Sequence, residues 1–97
     1  MSTIPTSDVE LWQLCAKRDR LIMWVLYESP ADFPGKWVGR FFICDRDPDQ
    51  RARGTSFCEV GNSRSEVEEA IPYMDRGRWR FMPEFDPAHP QIVGVYT

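Results

Sequence analysis

Lysine, histidine and long apolar runs are what this sequence has least of. Only Lys17 and Lys36 are lysines, beside ten arginines, and His89 is the one histidine. A single histidine excludes a histidine cluster for a metal. A Cys–His nucleophilic pair needs a cysteine beside His89 and a third group to orient it, and the Pro87-Ala88-His89-Pro90 loop carries no such signature. The three cysteines, Cys15, Cys44 and Cys58, are odd in number and form no CxxC. That pattern excludes a disulfide framework and implies free, buried thiols in a reducing cytosol. The longest apolar run, Leu21 to Tyr27, falls far short of the roughly 20 residues that span a bilayer. Met1 to Pro5 leads into a polar capping sequence, not an apolar targeting stretch. There is no glycine-rich phosphate loop and no serine elbow. The formal charge of −3 lacks the basic balance of a general nucleic-acid binder.

What the sequence does hold is aromatic surface: six Phe, four Trp and three Tyr in 97 residues. Each can bury roughly 150–250 Å², enough to build the core of one domain spanning 1–97. Ser7 and Glu10 form a capping box, predicting a helix over about 8–17 with Val9, Trp12 and Cys15/Ala16 on its inner stripe, widened by Leu11 and Leu14. Lys17-Arg18-Asp19-Arg20 places cations at its C-terminal end. Leu21 to Tyr27 reads as a central strand covered on both faces. Pro30, Pro34 and Gly35 break it. Lys36 to Asp45 alternates, with Trp37, Gly39, Phe41 and Ile43 on one face and Val38, Arg40, Phe42 and Cys44 on the other. Thr55 to Val60 is a third strand. Ser63 and Glu66 form a second capping box, with Val67, Ala70 and Ile71 inward, and Pro72 closes that helix. Arg78 to Met82 and Gln91 to Tyr96 complete an α-β-β-β-α-β-β order. The fold class is α+β: a mostly antiparallel, twisted sheet of about five strands with two short helices packed on one face.

Asp45-Arg46-Asp47-Pro48-Asp49 spaces carboxylates like the start of a calcium loop. Gln50 stands where glycine is required and Ser56 where a bidentate glutamate is required. The stretch therefore reads as a solvated loop, and neither metal nor cofactor is expected. Arg76-Gly77-Arg78-Trp79-Arg80-Phe81 alternates arginine with aromatic. With Trp79 and Phe81 inward, Arg78 and Arg80 form a cationic stripe, extended by Arg40 and Lys36, suited to phosphates or an acidic surface. An ordinary solvent face is the plain alternative. The candidate partner-binding residues are Asp45, Asp47, Asp49, Arg51 and Arg53 of the loop, with Arg76, Arg78 and Arg80. No residue is assigned a catalytic role.

The stretch from Met23 to Arg40 reads MWVLYESPADFPGKWVGR. It resembles small bacterial and prophage proteins sharing roughly W-V-x-Y-[DE]-x-P-x-D-[FY]-P followed by a V-x-R strand. Their acidic helix ending in Ile-Pro, turn and Ile-Val-x-V strand correspond to Ser65–Pro72, Asp75–Arg80 and Ile92–Val95. The resemblance brings no activity. It implies a mobile-element origin, and compact acidic proteins of that origin often act as inhibitors that occupy a surface of a host complex, as anti-CRISPR proteins do. The expectation is a non-enzymatic protein in the host cytoplasm that inhibits or modulates a host protein complex, a nucleic-acid-guided (CRISPR-Cas) defence system being the favoured kind, by direct contact and without a membrane. The alternatives are a nucleic-acid or phosphate binder using Arg40, Arg78 and Arg80, and a thiol enzyme.

Overall fold

Two capped helices are laid against one face of a five-stranded sheet in a computed structural model of the chain, which describes residues 6–17, 21–44 and 53–97, with Cys44 and Arg53 described by backbone alone. The elements are α1 (Asp8–Ala16), β1 (Leu21–Glu28), β2 (Trp37–Cys44), β3 (Arg53–Gly61), α2 (Arg64–Ala70), a 3₁₀ turn (Met74–Arg76), β4 (Phe81–Pro83) and β5 (Ile92–Tyr96). The strand order is β3-β2-β1-β5-β4, and every neighbouring pair is antiparallel.

Both helices start where the capping residues direct. The Ser7 hydroxyl accepts the Glu10 amide at 3.3 Å, and the Glu10 carboxylate reaches back to the Thr6 amide at 2.8 Å. Ser63 accepts the Glu66 amide at 3.3 Å, and the Glu66 carboxylate accepts from the Asn62 amide. Each box satisfies donors that the first helical turn cannot pair internally. Pro72 ends α2 as expected: Ile71, before it, has already turned to extended backbone.

The core lies between the helices and one sheet face. Ile22, Trp24 and Leu26 of β1 and Phe41 and Ile43 of β2 meet Leu11 and Cys15 of α1, Val67 of α2, and Ile71 at its cap. Gly39 is the point where α2 comes down on the sheet. A Cβ there would sit 2.9 Å from Val67 Cγ1 and 3.6 Å from Ile71 Cδ1. Trp79 is buried, its indole N–H donating to the Pro72 carbonyl at 2.6 Å, while Trp37 and Phe81 are half-buried against the core.

Four sequence expectations change. Ala70, expected inward on α2, is exposed, and Val67 with Ile71 carries the buried contact. The buried stripe of α1 is Leu11 and Cys15 with Leu14 beside it, whereas Val9 and Trp12 are 66% and 46% exposed. Asp8–Ala16 is apolar on more than one side, so packing rather than periodicity chooses the face. The fourth strand is shorter than Arg78 to Met82, although a backbone pair between Arg80 and Thr97 (2.8 and 3.0 Å) extends its ladder. And β1 is central but has helices on one face only, the side of Ile22, Trp24 and Leu26.

Candidate functional site

The uncovered face of the sheet follows from register. Antiparallel partners share a face, so Leu21, Met23, Val25 and Tyr27 of β1 line up with Phe42, Arg40 and Val38 of β2. The face continues through Cys58 and Val60 of β3, Val95 and Ile92 of β5, and Met82 of β4. It is apolar across all five strands; Val25 and Val38 at its centre are buried, whereas its outermost side chains are open, Leu21 being 64%, Met82 50% and Val60 44% exposed. Arg40 is the one charged side chain among these register positions.

At one end of this face the β1–β2 and β4–β5 connections enclose a cleft of about 470 Å³. Its polar walls are Tyr27, Asp32, Arg40, His89 and Gln91, with Phe42 also lining it. The first connection is folded on itself. Ser29, at φ 51°, donates its amide to Lys36 O at 2.7 Å, and its hydroxyl accepts from the Gly35 amide at 2.9 Å. Gly35 sits at φ 76°, a left-handed conformation that glycine adopts without steric cost. This folding brings Asp32 into an ion pair with Arg40. The Arg40 guanidinium lies 5.8 Å from the centre of the Tyr27 ring. Burial raises the Tyr27 phenol above its usual range, with the Arg40 charge opposing. The Gln91 side-chain oxygen is buried with no hydrogen-bond partner. Tyr27, Pro30, Asp32 and Arg40, four positions of the quoted pattern, thus meet in one place.

The described residues among those expected to make contact do not meet there. Asp45, Asp47, Asp49 and Arg51 lie outside the described residues; Arg53 opens β3, and its side chain is likewise outside them. Arg76 is exposed on the 3₁₀ turn. Arg78 turns toward α1, where its guanidinium donates to the carbonyls of Cys15 (2.9 Å) and Lys17 (3.3 Å) and stacks 4.2 Å over Trp79. It supplies the end of α1 with the cation and the donors that a helix C-terminus favours. Arg80 is exposed beside β4. The cationic stripe is therefore divided, with Arg40 paired on the open face and Arg78 fastened on the helix side.

Cys15 is a free thiol in the core, pushed up to about 11 chiefly by burial, the Trp24 indole and the Arg78 charge offsetting part of the rise. It is protonated at neutral pH, unlike an activated nucleophile. Cys58 is free and half-buried. Among the described residues no group of three or more His, Cys, Asp or Glu can hold a metal ion, and no helix is long and apolar enough to cross a membrane.

The chain matches no family model, no curated protein and no solved structure.

Proposed function

We propose that this chain is a non-enzymatic binding module that acts by direct protein contact through the open face of its sheet. One observation carries the reading: the sheet face without helices is apolar at paired positions on all five strands, with Leu21, Val60 and Met82 about half or more exposed around the buried Val25 and Val38, and its central cation Arg40 is already paired with Asp32. Exposed apolar side chains grouped on one face mark a contact site, and sparse charge suits the centre of a protein interface. On the resemblance to prophage proteins, the partner belongs to a host complex that the chain inhibits, a nucleic-acid-guided defence system being the favoured kind.

Capture from host lysate with the wild-type chain and with a Leu21→Glu/Met82→Glu chain tests the reading. The expected result is a stoichiometric protein retained by the first and released by the second, at unchanged far-UV circular dichroism. Equal capture by both chains, or salt-sensitive retention of nucleic acid alone, overturns it.

A further inference from the structure

On the helix side of the molecule, remote from the open face, α1, α2 and the 3₁₀ turn enclose a second cleft of about 550 Å³. Trp12 and Tyr73 line it as an edge-to-face pair, ring centroids 5.3 Å apart at 65°. The same cleft is lined by the carboxylates Glu68, Glu69 and Asp75, and no lysine, arginine or histidine is among its described lining residues.

The aromatic pair is held in place. Tyr73 has φ 61°, a left-handed conformation uncommon for a residue with a side chain. Its carbonyl accepts from the Arg76 amide at 3.1 Å and the Arg78 amide at 3.4 Å, and the neighbouring Pro72 carbonyl is bound by the Trp79 indole. Trp12 stays 46% exposed although the core lies one helical turn away. The carboxylates are unequally engaged. One Glu68 oxygen takes the Arg64 guanidinium at 2.7 Å and the Tyr96 hydroxyl at 3.0 Å. Among the described residues, the carboxylates of Glu69 and Asp75 have neither a hydrogen-bond nor an ion-pair partner. The cleft therefore joins exposed π-surface to unspent negative charge, the two features that attract a cation with an organic body. A hydrated metal ion would use the carboxylates and leave the rings idle.

We propose that this cleft binds a monovalent organic cation, a guanidinium or alkylammonium head, against Trp12 and Tyr73 with Glu69 and Asp75 closing around its charge. The sources of such a head are an arginine or lysine side chain of a protein and a free quaternary amine, and two probes separate them.

Titrations followed by amide and indole NMR shifts use N-methylguanidinium and tetramethylammonium chloride, with sodium chloride and the neutral near-isostere tert-butanol as controls. The expected result is a saturable shift of the Trp12 indole N–H and the Tyr73 amide with one or both organic cations and with neither control. Tighter binding of N-methylguanidinium points to an arginine side chain; tighter binding of tetramethylammonium points to a free quaternary amine. A Glu69→Gln/Asp75→Asn chain, changed only at exposed positions, is expected to bind about fivefold more weakly or worse, and Trp12→Ala to lose the shift. Equal shifts with tert-butanol, shifts no larger than with sodium, or undiminished affinity of the carboxylate variant overturn the proposal. Because the open sheet face takes no part, failure of the proposed protein contact leaves this test intact.

Discussion

Truncating two leucines of β1 separates a sheet open on one face from a sheet covered on both. Leu21 and Leu26 lie in the same strand and differ in the face they occupy. Full burial of a leucine side chain is worth about 1.5–3 kcal/mol. Leu21 keeps 64% of its surface in water, so only about a third of that, about 0.5–1 kcal/mol, is at stake in Leu21→Ala. No cavity forms, because the side chain is not enclosed. Leu26 is wholly buried, and its truncation loses the transfer energy and leaves a cavity, costing about 2–5 kcal/mol. Equilibrium urea unfolding measures both. At a slope of about 1.5 kcal/mol/M, the midpoint falls by about 0.5 M for Leu21→Ala and by about 1.5–3 M for Leu26→Ala. Equal costs in dilute protein would mean that the second face is covered within the folded chain, and the reasoning behind the proposed contact surface would fail. A cost at Leu21 that grows with protein concentration would identify a second copy of the chain as the cover.

Gly94→Ala is expected to cost more than Gly39→Ala. At Gly94 the new methyl lands on the Phe81 ring and 2.8 Å from the Met82 carbonyl oxygen, which is backbone and cannot step aside, whereas at Gly39 it meets the Val67 methyl at 2.9 Å. Overpacking of the second kind costs about 1–3 kcal/mol; comparable urea midpoints for the two variants would contradict this order. Arg78→Met removes two donors from the end of α1 and is expected to cost about 1 kcal/mol, with amide hydrogen exchange accelerating first in α1; uniform acceleration through the sheet would show that the guanidinium acts elsewhere. Glu59 has its carboxyl raised by burial and then by the charge of Asp8, so its ionised form is disfavoured in the folded state. The resulting destabilisation is present above the folded-state value and disappears as pH falls through it toward the unfolded value. Glu59→Gln is therefore expected to stabilise the chain at pH 7 and to lose that advantage near pH 4, as read from thermal midpoints at the two pH values.

Local signals carried the element order. Two capping boxes, a proline after α2 and period-two alternation in β2 act within a few residues of one another, so Ser7, Glu10, Ser63, Glu66 and Pro72 play the parts their spacing implies. That Trp79 and Phe81 share a side was legible for the same reason, while the structure decided that this side is the inner one. Which side of α1 is buried was not, because Val9, Leu11, Trp12 and Leu14 offer several apolar faces and only docking selects Leu11 and Cys15. Arg78 looked like surface charge because its partners, the carbonyls of Cys15 and Lys17, lie more than sixty residues away in the chain.

By itself the sequence determined an α+β chain of two helices and five strands, since capping and alternation are short-range. Tertiary structure alone decided how many faces of that sheet are covered. A strand buried on both faces and a strand whose second face is apolar but open have the same composition, and Leu21 to Tyr27 fits either. Only the placement of both helices on the side of Trp24, together with the register that lines Leu21, Phe42, Val95 and Met82 on the other, shows the open apolar face. The clefts have the same origin: Tyr27 meets Arg40 and His89, and Trp12 meets Tyr73, through long-range packing that no local pattern encodes.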